Sequence, residues 1–391
     1  MKKVVLAYSG GLDTSVAIRW LKTKGYEVIA FMADIGQEKT TDAAIRRART
    51  AGASKVVVRD LKKKFIAEYL WPALKADAVY EGRYTLATAL SRPLIAAEQV
   101  AVAHEEKAAA VAHGCTGKGN DQVRFEVTVQ ALDGRLEILA PVREWEFKSR
   151  EEEVLYAQRH GIPIDVSKKN PFSIDKNIWG VSVEAGILEN PNAEPPEEAF
   201  QWTRGAGKRN VKERLIEVEF LKGIPIGLNG RRKEALSLIE ELNQIGALYG
   251  IGRTDMMENR LVGIKSRETY EAPAATLLLQ AHKDLESLVL DRELLHYKES
   301  VSQKVAEIIY YGLWFTPLRK ALDAFVNATQ GKVTGRVRLK LRKYSAQVVG
   351  RNSPYSLYRE SLATYGAKDA FDQRLAKGFI DLWALPYKSN R

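Results

Sequence analysis

The sequence predicts an α/β protein: an N-terminal parallel-sheet domain, a second α+β domain and a C-terminal helical tail. Three observations predict it. Short apolar runs alternate with helical patterns over residues 1–165. The first of those runs stops at a glycine-rich turn that opens a helix. From residue 166 the texture changes, first to a stretch rich in Asn, Pro, Ser and Gly, then to apparent hairpins and long amphipathic helices. The domains are accordingly set at 1–165, 166–355 and 356–391.

In chain order, strands are predicted at residues 4–7, 28–32, 55–58, 108–112 and 136–140. Helices fit 14–24, 41–51, 61–70, 91–105 and 150–160. Ligands of such sheets sit beyond the carboxyl ends of the strands, where Ser9-Gly10-Gly11, Ala33-Asp34 and His113-Gly114 fall. Residues 168–196 read as a structured loop region. A hairpin over 215–228 turns near Lys222-Gly223 and is followed by helices over 231–248, 273–297 and 297–311. A second hairpin spans 333–349. Its run Arg336-Val-Arg-Leu-Lys-Leu-Arg342 alternates strictly, which puts the cations on one face and Val337, Leu339 and Leu341 toward a core. The tail over 356–383 carries Phe371, Leu375, Phe379, Ile380 and Trp383 at helical spacing. That stripe either packs on its own domain or is exchanged between subunits.

At 391 residues, with 45% hydrophobic and 28% charged residues, the chain suits a soluble two-domain globular protein. Cys115 is the only cysteine, which excludes a disulfide framework within the chain and a multi-cysteine metal site. His104, His113, His160, His282 and His296 show no metal-ligand spacing, so no protein-bound metal is predicted. A strand begins at once, leaving no room for a signal peptide, and no apolar run approaches ~20 residues. The reading is cytoplasmic. The net charge of +11 lacks aromatic interleaving in its densest stretch, which favours a solvated strand face. Neither a nucleic acid nor a membrane is predicted as a partner.

The chemistry concentrates in two runs. The first is Lys3-Val-Val-Leu-Ala-Tyr-Ser-Gly-Gly-Leu-Asp-Thr-Ser15, a strand, a glycine turn and a helix N-terminus. Adjacent glycines let backbone approach a ligand, and the first helical turn offers hydroxyls and unpaired N–H groups to an anion such as phosphate. It is neither G-x-x-x-x-G-K-[ST] nor G-x-G-x-x-G. A bare Gly-Gly would also serve as a simple turn; Ser9, Asp13, Thr14 and Ser15 at these offsets favour the phosphate. The second run is His113-Gly-Cys-Thr-Gly-Lys-Gly-Asn-Asp-Gln-Val-Arg-Phe-Glu126. It joins a glycine-rich loop to Lys118, Asp121 and Arg124, with Asn120 or Gly119 able to cap a helix. Backbone donors, a carboxylate and a guanidinium fork are the parts needed to hold a zwitterionic amino acid beside a nucleotide.

S-G-G-x-D-[ST]-S after the first strand resembles the pyrophosphate loop of ATP pyrophosphatases, which cleave ATP between the α- and β-phosphates. The second run narrows this, together with Arg83-Tyr-Thr-Leu-Ala-Thr-Ala-Leu-Ser-Arg-Pro-Leu-Ile95, Glu184-Ala-Gly-Ile-Leu-Glu-Asn-Pro191 and Gly252-Arg-x-Asp…Glu258-Asn-Arg…Lys265-Ser-Arg. In order and over almost the whole chain, they resemble the argininosuccinate synthase family. The resemblance implies ligation of L-citrulline to L-aspartate through a citrullyl-adenylate, with ATP and Mg²⁺, in a homotetramer assembled through the C-terminal segment. It implies an ATP site of Ala7, Tyr8, Ser9, Gly10, Gly11, Leu12, Asp13, Thr14, Ser15, Ala33 and Gly114. Aspartate would meet Thr116, Asn120 and Asp121. Citrulline would meet Tyr84, Asn120, Arg124, Ser173, Ser182, Glu258 and Tyr270. Asp13, Lys118 and Asp121 are the catalytic candidates.

Two positions depart from the family pattern. Ala87-Thr88-Ala89 stands where Gly-Thr-Ser is frequent, so the hydroxyl expected at 89 is missing and Thr88 is its candidate stand-in. Cys115 stands where alanine is usual; it contributes its backbone, while a thiol in this loop also offers a target for alkylation. Two other readings compete with the ligase. A tRNA-modifying enzyme with the same loop is one, but thiolation would need a second cysteine, and lysine ligation would not need the run from Thr116 to Asp121. A nucleotide-sensing protein that binds ATP without turnover is the other.

Overall fold

The computed structural model describes residues 1–37, 42–163 and 171–388. Val4, Val5 and Leu6 are buried on both faces of their strand, as a near-continuous apolar run in a covered parallel sheet should be. Five strands, β1 (Lys2–Ala7), β2 (Tyr26–Asp34), β3 (Lys55–Asp60), β4 (Ala110–Ala112) and β5 (Glu137–Leu139), pair in parallel in the order β3-β2-β1-β4-β5. With them come α1 (Leu12–Thr23), α2 (Asp42–Ala51), α3 (Lys62–Phe65), α4 (Trp71–Lys75) and α5 (Ala87–Glu105). The set is completed by α6 (Asp121–Asp133), α7 (Pro141–Glu144) and α8 (Arg150–Arg159). Strand order reverses between β1 and β4, which opens a crevice beyond their carboxyl ends.

Each of the five predicted strands is present. The predicted helix over 61–70 is instead α3, a π turn (Ile66–Leu70) and α4 in succession, and the one over 91–105 begins at Ala87. Thr41, residues 168–170 and the boundary at 165/166 lie outside the described residues.

The loop expected over 168–196 holds two strands, β6 (Ser173–Asn177) and β7 (Gly180–Glu184). Then follow β8 (Arg214–Leu221), β9 (Ile224–Leu228), β10 (Arg231–Arg232), α9 (Ala235–Tyr249), β11 (Arg253–Asn259) and β12 (Lys265–Glu271). After them come α10 (Pro273–Val289), α11 (Arg292–Tyr310), α12 (Pro317–Thr329), β13 (Gly335–Arg342) and β14 (Ser345–Asn352). Two antiparallel sheets result, ordered β10-β9-β8-β13-β14 and β11-β12-β7-β6. The break between α10 and α11 falls before Arg292 rather than at Tyr297, because Asp291 caps α11 by accepting the Leu294 N–H at 3.0 Å.

On β13, Val337, Leu339 and Leu341 are fully buried while Arg336 faces Glu217 and Glu219 of the neighbouring β8. The alternating basic run is a strand face with acidic cross-strand partners. The tail holds α13 (Glu360–Ala363) and α14 (Leu375–Trp383), and no residue of α14 is buried. Phe379 and Trp383 are 63% and 67% exposed, which rules out the expectation that the stripe packs on its own domain. Among the described residues no helix is long and apolar enough to cross a membrane.

Candidate active site

β1 delivers Ala7 to the crevice, and the chain turns at once into α1. Gly10 sits at φ +83°, where a Cβ would also stand 3.0 Å from that of Ala44. The loop's own hydroxyls brace it. Ser9 Oγ lies 3.1 Å from Thr14 Oγ1 and accepts the Gly11 N–H at 3.3 Å. Ser15 Oγ donates to the Gly11 carbonyl at 2.7 Å and lies 3.1 Å from the Tyr8 hydroxyl. Tyr8 and Ser15 are thus buried beneath the loop, while Ser9 and Gly11 are exposed at its surface. No side chain caps α1, so the N–H groups of its first turn are left to an anion.

The loop after β4 closes on this turn: a Cβ on Gly114 would stand 2.8 Å from Thr14 Cγ2. Ala33, next to the last residue of the neighbouring strand β2, is buried. Asp13 faces Glu153 of α8, whose Oε2 is buried without a protein partner. Burial and the Asp13 carboxylate push the Glu153 carboxyl up to about 8.

The run after Gly114 is pinned from both sides. The Cys115 N–H donates to His113 Nδ1 at 3.2 Å, and Gln122 Nε2 donates to the carbonyls of Gly117 at 2.6 Å and Gly119 at 3.2 Å. Thr116 and Lys118 are exposed at the tip. Burial and the Asp121 carboxylate push the Cys115 thiol well up. The shift disfavours the thiolate, which is the reactive form.

Asn120 stands at the N-cap of α6 without capping it. Its amide reaches across instead, donating to the Tyr310 hydroxyl at 2.8 Å and accepting the Leu261 N–H at 2.8 Å. Each oxygen of Asp121 meets a guanidinium, Arg124 at 2.8 Å and Arg92 of α5 at 2.8 Å. Against the cost of burial, Arg92 and Arg124 hold the Asp121 carboxyl below the usual range. Arg92 also pairs with Asp175 of β6, tying the two halves of the crevice together.

The second wall is the β11-β12-β7-β6 sheet. Ser173 pairs with Glu184, Asp175 with Ser182, Ser182 with Tyr270, and Glu258 with Ser266. Paired residues of an antiparallel ladder share a face, as do alternate residues of a strand. Ser173, Asp175, Ser182, Glu184, Glu258, Glu268 and Tyr270 therefore share one face of the sheet, the one that α5 meets through Arg92 and Thr88. Tyr84 stacks on Tyr270 at 4.1 Å, and its hydroxyl accepts the N–H groups of Thr88 and Ala89 at 3.0 and 3.2 Å. Glu258 accepts from Tyr270 at 2.6 Å and Tyr310 at 2.8 Å. Arg124 donates from Nε to the Tyr310 carbonyl at 2.9 Å, while its Nη2 is buried without a protein partner. Such an orphaned, charged donor marks a place for an acceptor, and a carboxylate fits it.

Comparison with known proteins decides the family. The model of the arginosuccinate synthase N-terminal HUP domain matches residues 3–163, and that of the arginosuccinate synthase C-terminal domain matches residues 172–390. Argininosuccinate synthase of Chlorobium phaeobacteroides is 54% identical over 99% of this chain and 97% of its own length. That of Dictyoglomus thermophilum is 56% identical over 98% of this chain and 96% of its own. The chain belongs to the argininosuccinate synthase family. It is an enzyme of the ligase class and uses ATP, and its N-terminal parallel sheet lies within the family's HUP domain.

At 87–89, where the chain departs from the family pattern, Ala89 is fully buried and the Thr88 hydroxyl lies 3.0 Å from Ser182 Oγ. Several residues of the crevice were not among the sequence candidates: Arg92, Asp175, Glu184, Arg260, Glu268 and Tyr310. Arg92, Glu184 and Arg260 lie inside the runs that carry the family resemblance, which was a usable signal. Asp175 fell in a stretch read as loop, and Tyr310 follows Ile308 and Ile309 in an apolar helical stripe that reads as core.

Proposed function

We propose that this enzyme joins L-citrulline to L-aspartate in two steps, cleaving ATP to AMP and pyrophosphate. The loop from Ala7 to Ser15, with Ala33 and Gly114, holds ATP, its pyrophosphate on the first turn of α1. The citrulline ureido oxygen attacks the α-phosphorus; the new O–P bond replaces the bond to pyrophosphate, whose growing charge meets the N–H donors. The aspartate amine then attacks the ureido carbon, a C–N bond forms, and AMP leaves with the former ureido oxygen. Orientation of three substrates in one crevice supplies much of the rate.

Arg124 Nη2 receives the citrulline carboxylate, and Tyr84, Asn120, Ser173, Ser182, Glu258 and Tyr270 complete that site, with Thr88 adding its hydroxyl. Thr116, Asn120 and Asp121 hold aspartate. Asp121, kept ionised by two guanidinium groups, orients the aspartate amine and is a poor base, so the amine proton passes to a phosphate oxygen. Lys118, at the exposed loop tip, closes on the phosphates.

The donor set at Asp13 and Glu153 fits Mg²⁺, because two carboxylates face one another and one buried oxygen lacks a partner. When bound there, the ion neutralises phosphate charge. The enzyme is cytoplasmic and assembles as a homotetramer through 356–391, with 1–165 the nucleotide domain and 166–355 the synthetase domain.

The observation that carries this reading is the closure of the Gly114 loop on Thr14, which joins the phosphate loop to the Asn120–Asp121–Arg124 cluster. The test incubates the protein with MgATP and labelled citrulline, with and without aspartate. Citrulline-dependent pyrophosphate and aspartate-dependent argininosuccinate are expected. Release of ADP, or turnover only with added tRNA, would reject it.

A further inference from the structure

The Tyr270 hydroxyl stands between two carboxyl groups, 2.6 Å from Glu258 Oε2 and 2.9 Å from Glu268 Oε2. A phenol has one proton to donate. It satisfies one contact; the other is a hydrogen bond only when that carboxyl carries a proton and donates it back to the phenol oxygen. Tyr310 does not resolve the deficit, because its proton goes to Glu258 Oε1 while its oxygen accepts from Asn120. The groups facing this pair come from every neighbouring element. Arg260 contacts Glu184 and lies 3.0 Å from Glu268 Oε1, Glu184 projects from β7, Tyr84 approaches from the segment before α5 and Arg124 from α6. One guanidinium thus faces Glu184 and Glu268 with Glu258 behind them. Burial and the Glu258 carboxylate push the Glu268 carboxyl up to about 7, and burial with Glu268 pushes Glu184 up as well.

We propose that the Glu258–Glu268 pair holds one proton besides the Tyr270 phenol's own in the substrate-free enzyme, and that the α-ammonium group of the amino-acid substrate expels it. The carboxyl pair is then a positioning and specificity device that requires a positive charge on the substrate. The inference rests on the reading of this pocket as the citrulline site. Only an O–H bond breaks: the proton goes to the buffer, and the ammonium, keeping its own protons, takes its place against the two carboxylates. Below neutral pH citrulline must displace a full proton, so its apparent Kd weakens toward about tenfold per pH unit. Above pH 8 the dependence fades.

The test is titration calorimetry of citrulline into the full-length enzyme at pH 6, 7 and 8, in phosphate and in imidazole, which differ in heat of ionisation. Buffer-dependent heats are expected, with release approaching one proton at pH 6 and falling toward pH 8. Glu268→Gln, which keeps a donor for Tyr270 and an acceptor for Arg260, should bind citrulline without releasing a proton and with a Kd that is flat from pH 6 to 8. Nα-acetylcitrulline, which has no ammonium, should release none. Equal heats in both buffers for the unmodified enzyme would overturn the proposal, as would proton release on binding the acetyl derivative. Absence of any citrulline heat would instead overturn the citrulline reading beneath it. The two-buffer comparison needs no variant, so a poorly folding Glu268→Gln leaves the test intact.

Discussion

Arg124 divides its guanidinium between scaffold and ligand. Nε holds the end of α11 through the Tyr310 carbonyl, Nη1 holds Asp121, and Nη2 is buried with no protein acceptor. Arg124→Lys keeps a positive charge near Asp121 but loses the planar fork. A charge-assisted hydrogen bond contributes about 1.5–3 kcal/mol, so the citrulline KM should rise by roughly 10- to 100-fold. The aspartate KM should move less and the ATP KM hardly at all, which steady-state kinetics with each substrate varied in turn will read. An ATP KM raised as far as that of citrulline would sink the assignment. Residues of this kind were legible because Asn120, Asp121 and Arg124 stand where a glycine-rich loop runs into the first turn of a helix. The sequence did not reveal their orientation: Asn120 occupies a cap position, yet its amide is taken up by Tyr310, a residue 190 positions away.

Elements were legible where one face packs against a core. β1 and β13 announce themselves through Val4 to Leu6 and through Val337, Leu339 and Leu341, all fully buried. β11 and β12 went unread because neither face is apolar: one carries Glu258, Glu268 and Tyr270, and the other carries Asp255 paired with Arg267. A strand that builds a polar site hides the alternation by which strands are recognised. A second polar cluster, between α10, α11 and the segment after α4, is structural. Lys298 lies 2.5 Å from Asp77 and 2.9 Å from Glu286, occupying the place a metal would need among Asp77, His282 and Glu286. Lys298→Met would leave two buried carboxylates without their cation, costing about 3–5 kcal/mol, and should lower Tm by several degrees in a thermal melt. A chelator should leave Tm unchanged. His282 adds a pH dependence: against burial, Asp77 and Glu286 raise its pKa above 6.5. Stability from its charging is therefore complete below pH 6.5 and fades as pH rises through the raised value. His282→Gln should flatten that alkaline decline, and an unchanged slope would refute the assignment.

At the scale of the molecule, the crevice draws its residues from the parallel sheet and from the β11-β12-β7-β6 sheet, whereas nothing among the described residues covers the apolar face of the tail. Leu375, Phe379, Ile380, Leu382 and Trp383 form an apolar helix that is more than half exposed at each of these positions. A second copy is the occupant that symmetry offers, since the same face recurs on every subunit. Burying a large apolar side chain contributes roughly 1.5–3 kcal/mol, so Phe379 and Trp383 together supply about 3–6 kcal/mol per subunit. Replacing both with glutamate should therefore weaken association by at least about 100-fold. Light scattering at micromolar concentration should find a tetramer for the unmodified protein and smaller species for the double variant, with the far-ultraviolet circular dichroism retained. Because α14 supplies none of the residues assigned to the crevice, citrulline-dependent pyrophosphate formation should stay within a few-fold. A monomeric unmodified protein would defeat the tail's assignment, and an inactive but folded double variant would show that the crevice needs its neighbours.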